Sequence, residues 1–164
     1  MLRSGNQEIL QNILKDCDSL KEDVSSYKIA KCIINGDNEN LETTLDLNPL
    51  STESFIGDQS LFEIAVRANN LDALKILCEK CEDLDFDIDD VDKLLEVRPL
   101  FLAIKLGFNE IAMHLFEREY YNSYAHNIFP GDLSRLDALS EARYSENKEL
   151  INYFVKLIKR YHNL

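Results

Sequence analysis

Four positions head the same local pattern in this 164-residue chain: Cys32, Ala65, Ala103 and Ala142. Three residues before each stands an apolar side chain (Ile29, Phe62, Leu100, Leu139), and seven after each stands an acid (Glu39, Asp72, Glu110, Glu149). The separations are 33, 38 and 39 residues. A recurrence of this length marks a chain built from stacked units. Each unit is too small to bury its own apolar face and depends on its neighbours for a core.

Punctuation supports helices as the building blocks. The chain has 3 prolines and 5 glycines, too few for the many tight turns of a sandwich or barrel. Residues 6–21 place Ile9, Leu10, Ile13, Leu14, Cys17 and Leu20 at three- and four-residue steps, the spacing of one helical face. This predicts a capping helix within 1–24, ahead of units at 25–50, 51–88, 89–127 and 128–164 of a single domain.

Within the units, the turn between two helices is expected at Gly36, Asn69, Gly107 and Glu146. Glycine adopts a left-handed backbone without penalty, and Asn tolerates it better than most residues. Unit three reads RPLFLAIKLGFNEIAMHLF. Its Pro99-Leu100, Ala103 and Gly107 stand where an ankyrin repeat carries its P-L, alanine and turn glycine. In unit two, Ser60 to Ala65 fall on the T-P-L-H-x-A segment. The chain therefore resembles the ankyrin-repeat family over about residues 25–160. It departs in having no intact Thr-Pro, and in spacers after units two and three that are longer than the family's.

The resemblance implies an all-α, ankyrin-like helix-pair solenoid with lengthened finger loops. It implies partner contacts at the fingers and at the positions just after the paired alanines. On this chain those are Ile56, Gln59 and Arg67 in unit two, and Leu94, Leu95, Val97, Lys105 and Leu106 in unit three. In unit four they are Leu133, Ser134 and Leu136, with Tyr144. The tyrosines 120, 121 and 124 lie in the spacer between units three and four. Tyr124 is read as a further contact there, since tyrosine offers large area with little entropy to lose.

Charge narrows the partner. The formal net charge is −12, unfavourable for phosphate backbones or anionic lipid. The expected counterpart is another protein with a basic surface. No apolar run is long enough to span a membrane, and the N-terminus lacks a secretory core. The expected location is cytoplasmic or nuclear, with the four cysteines reduced.

Motifs for chemistry are sparse. Residues 85–96 place Asp85, Asp87, Asp89 and Glu96 at the first, third, fifth and twelfth places of a calcium-loop pattern. Asp90 occupies the sixth place, where the sharp turn needs glycine. This gives the alternative reading of a calcium-responsive protein, against that of a solvated acidic finger. Cys78 and Cys81 form half of a zinc ligand set, with no second pair at suitable spacing. No nucleophile elbow, phosphate loop or zinc-protease motif is present. The expectation is a non-enzymatic interaction module needing no cofactor, acting as inhibitor, adaptor or complex subunit.

Overall fold

A computed structural model of the chain describes residues 2–19, 25–47, 55–56, 59–83, 99–125 and 133–162. The protein is all-α. Its helices are α1 (Leu2–Ser19), α2 (Ser25–Asn35), α3 (Asn38–Leu47), α4 (Leu61–Arg67), α5 (Leu71–Asp83), α6 (Pro99–Leu106), α7 (Asn109–Ala125), α8 (Leu133–Tyr144) and α9 (Lys148–His162). One short antiparallel pair, β1 (Phe55–Ile56) and β2 (Gln59–Ser60), precedes α4, with Ile56 opposite Gln59. The chain divides into two compact units, Met1–Arg98 and Pro99–Leu164.

In each unit the sequence recurrence becomes a recurring turn. The residues that head the pattern sit in the last turn of α2, α4, α6 and α8. Their carbonyls accept from the amide five residues on: Asp37 to Cys32 at 2.9 Å, and Asn70 to Ala65, Phe108 to Ala103 and Asn147 to Ala142 at 3.0 Å. A second bond runs from Gly36 to Ile33, Asn69 to Val66, Gly107 to Ile104 and Glu146 to Arg143. This paired closure requires a left-handed residue just past the helix. Gly36 and Gly107 take φ of 72° and 73°, and Asn69 and Glu146 take 53°. A side chain at such a φ costs about 1 kcal/mol, less for Asn, so Glu146 holds its place at some expense.

The next helix starts at once. Asp37, Asn70, Phe108 and Asn147 accept its first backbone bond. Asp37, Asn70 and Asn147 also accept a backbone amide through the side chain, from Asn40, Ala73 and Leu150. The recurrent acids fall in the first turn of α3, α5, α7 and α9. There a carboxylate meets the positive end of the helix dipole.

In the first unit α2 packs on α4 and α3 on α5, while α1 touches both α2 and α4. The core holds Ile29, Ile33, Leu41, Leu45, Phe62, Ile64, Leu74 and Leu77. In the second unit α6 packs on α8 and α7 on α9. Its core is built on Leu100, Ile104, Ile111, Phe116, Leu150 and Phe154. The rings of Phe116 and Phe154 stack with centroids 4.0 Å apart, adding about 1 kcal/mol to the burial of their area.

Asparagines fasten neighbouring turns by one rule in both units. Asn70 donates to the carbonyl of Ile33 at 3.0 Å and to Asn38 at 3.1 Å. Asn147 donates to Asn109 at 2.8 Å, and Asn109 donates to Glu149. Each bridge joins the fifth residue after one pattern head to the sixth after the preceding head. A carboxamide suits this place because it caps its own helix with oxygen and reaches its neighbour with nitrogen.

Several expectations are corrected. The stretch after Glu117 is helix rather than finger. α7 runs to Ala125, so Tyr124 is helical, because no Gly or Pro interrupts the chain until Pro130 and Gly131. Leu133, Ser134 and Leu136 open α8 instead of forming a finger tip. On α5 and α9 the interior places go to Ala73, Cys78 and Leu157, while Ile76 and Ile151 are half-buried. The segment 84–98, with Leu94, Leu95, Val97 and the calcium-loop residues Asp85, Asp87, Asp89 and Glu96, lies outside the described residues.

Candidate functional site

Arg67, Lys105 and Tyr144, expected as partner contacts on the first helices, each stand two residues after a pattern head. Together with the residue two before each head they mark one side of each first helix. The pairs are Ala30 and Ile34 on α2, Glu63 and Arg67 on α4, Phe101 and Lys105 on α6, and Ser140 and Tyr144 on α8. An i, i+4 pair projects from one side of a helix.

In the first unit this face is covered. Since α2 and α4 pack on each other and carry α3 and α5 behind them, a helix touching both α2 and α4 lies along the groove on the opposite side. α1 is that helix. Ile13 is its buried apolar anchor and Asn6, 6% exposed, its polar one. The Asn6 amide donates to the carbonyl of Arg67 at 2.8 Å, and its oxygen accepts from the Arg67 guanidinium at 3.2 Å.

Beneath α1 the charges are balanced within the fold. Arg67 forms an ion pair with Glu63 at 2.6 Å. It also donates to Gln59 at 2.8 Å. Glu63 is 3% exposed and Ala30 0%. Ser60, at the start of α4, accepts from the Glu63 amide at 3.0 Å. The cap fixes the first turn of α4 and with it the direction of the Glu63 side chain. A charge so deeply buried is tolerable only when paired and hydrogen-bonded. Gln59 and Arg67, expected as partner contacts, are thus engaged inside the protein. Ile56 is core, 5% exposed.

The second unit leaves the same face open. Phe101 is half-buried, Lys105 and Ser140 are exposed, and Tyr144 is 87% exposed. Leu106 is buried and serves the core, so of the two expected contacts at the end of α6 only Lys105 meets solvent. Where α4 carries Glu63 four residues before its cation, α6 carries Phe101. Lys105 accordingly has no carboxylate of its own at that register, and it forms no ion pair among the described residues.

Charge divides the same way. Residues 99–164 hold eight basic and eight acidic side chains, so the whole net charge of −12 lies in residues 1–98, with ten bases against 22 acids. The neutral half carries the open face.

Chemistry-bearing groups elsewhere are few. Cys32 is a free thiol pushed up by burial first and by nearby Asp37 second, a setting that suppresses nucleophilic thiolate. Cys78 is 1% exposed and packs as a small apolar residue. Among the described residues no group of three or more His, Cys, Asp or Glu could hold a metal ion. None of their helices is long and apolar enough to cross a membrane.

No protein-family model matches the chain, and neither a curated protein nor a solved structure matches it.

Two structural features around the site were not anticipated from the sequence, the contact of α1 with α2 and α4 and the asparagine bridges. The bridges had a signal, Asn at the sixth place after heads one and three and at the fifth after heads two and four. The seating of α1 had a weaker one, a polar Asn6 at the edge of an apolar face.

Proposed function

We propose that the chain is an ankyrin-type repeat protein that works as a non-enzymatic interaction module, occupying the surface of another protein. The observation that carries this reading is the recurrence of one turn, with the same two backbone bonds and the same left-handed residue, at one register in four hairpins. Repetition of a small hairpin builds extended surface rather than an enclosed cleft. Such a surface serves recognition, with side chains on the outward face of the first helices free to vary while the turns stay fixed. Inhibitor, adaptor and complex subunit are all forms of this action, in the cytoplasm or nucleus.

The test is capture with the full chain as bait. The bait is compared with a variant carrying Lys105→Glu and Tyr144→Asp, both fully tolerable at exposed positions. A protein retained by the native chain should be lost from the variant, while helical circular dichroism stays the same. Equal retention by both baits would place recognition elsewhere and defeat this assignment of the face.

A further inference from the structure

We propose that the open face of the second unit, formed by Phe101 and Lys105 on α6 and Ser140 and Tyr144 on α8, receives an amphipathic helix of the partner that carries a carboxylate opposite Lys105. This deepens the interaction reading above and rests on it.

The shape of the occupant is given by the protein itself. At the equivalent register of the first unit, the groove between α2 and α4 is filled by α1, an amphipathic helix with an apolar anchor at Ile13 and a polar one at Asn6. α6 and α8 pack side by side as α2 and α4 do, and their four register positions are left half-buried or exposed. A helix laid in such a groove buries its apolar face on Phe101 and the ring of Tyr144, a common mode of peptide recognition. Tyr144 is also the kind of residue that anchors interfaces, large and apolar with one polar end.

The chemistry of the occupant follows from charge. In the covered groove the cation Arg67 is neutralised by Glu63 of its own helix, and α1 brings the neutral amide of Asn6 to it. In the open groove the cation is retained as Lys105, but its in-chain carboxylate is replaced by Phe101. Lys105 is exposed and forms no ion pair among the described residues, so a carboxylate on the occupant gains an attraction there that an uncharged helix does not. A second copy's α1, with Asn6 at that place, is the wrong chemistry.

Two synthetic peptides of residues 2–19 test this, one unaltered and one with Asn6→Asp, each fluorescein-labelled and titrated with the full chain. The Asp peptide should bind about three- to fivefold tighter at low salt, the size of one exposed ion pair, and the preference should shrink as salt rises. It should vanish with Lys105→Met, and also with Phe101→Glu, which restores an in-chain carboxylate four residues before Lys105. Backbone amide shifts should centre on residues 101–105 and 140–144.

Equal affinity of the two peptides would overturn the proposal, as would a preference that survives Lys105→Met, or no binding of either peptide at millimolar concentration. If the peptides fail while Lys105→Glu still abolishes capture of a partner, the interaction reading stands and only the helical acidic occupant is wrong.

Discussion

The two compact units use one backbone plan and fill it with different chemistry. Both close their hairpins with the same turn and bridge neighbouring turns through asparagine. Beyond that they part. The first unit seals its outward groove with α1 and balances a buried Glu63–Arg67 pair beneath it. The second places a stacked pair of phenylalanines between α7 and α9, and leaves Lys105, Ser140 and Tyr144 exposed at the same register. The lesson is that the repeat fixes where a side chain points, and the neighbours present then decide what that side chain is for. Arg67 and Lys105 occupy one register and carry one sign of charge. Arg67 is structural because α1 lies on it, and Lys105 is exposed because nothing described does.

The largest effect should come from the aromatic stack. Phe154→Ala should cost about 3–5 kcal/mol through the cavity it leaves, read by urea denaturation. Hydrogen exchange should report the lost protection within 99–162. A loss near 1 kcal/mol would mean the stack is not the keystone of the second unit.

Next comes the sealed pair. Glu63→Ala strands the Arg67 guanidinium under α1 and should cost about 2–4 kcal/mol. Its counterpart at the same register in the second unit should behave oppositely. Phe101→Glu adds an exposed i, i+4 pair with Lys105 and should change stability by no more than about 0.5 kcal/mol beyond the loss of half-buried ring area. Similar costs at the two sites would dissolve the contrast between sealed and open grooves.

The bridges should respond alike in both units. Asn70→Ala removes a helix cap and two donated bonds, and Asn147→Ala a cap and one. Each should cost about 1–2 kcal/mol, visible as a lowered urea midpoint with unchanged slope. A negligible effect at either site would show that the shared turn plan carries unequal weight.

The smallest effect should be a gain. Glu146→Gly relieves a left-handed side chain and should stabilise by about 0.5–1 kcal/mol, with Asn69→Gly giving less. No gain at Glu146 would mean its carboxylate supplies something there that backbone geometry does not reveal.

Much of this was legible before any coordinates. The left-handed turns at Gly36, Asn69, Gly107 and Glu146 were readable because a backbone requirement selects residue types directly. The apolar places three before each head were readable because helical period maps onto burial, and Ile29, Phe62, Leu100 and Leu139 are all buried. The outward face was legible only as a register. Gln59, Arg67 and Ile56 were assigned to a partner because their positions were right, but the contact of α1 with Arg67 and the burial of Ile56 are non-local facts. The length of α7 was missed because the family pattern suggested a finger, although Glu117 to Ala125 contain no Gly or Pro to stop a helix.

Net charge is a sum that hides its own distribution. The whole of the −12 lies in residues 1–98, while the exposed Lys105 stands in the neutral half. Global charge averages over surfaces that a partner never sees together.

By itself, the sequence determined the helical hairpins, their turns and the direction of each register position, since all three are set within a dozen residues by backbone sterics and periodicity. Only the tertiary structure decided which register positions are covered by another helix and which, among the described residues, stay exposed. That depends on where α1 comes to rest, a long-range contact between Asn6 and Arg67 across 61 residues of chain, and no local pattern encodes it.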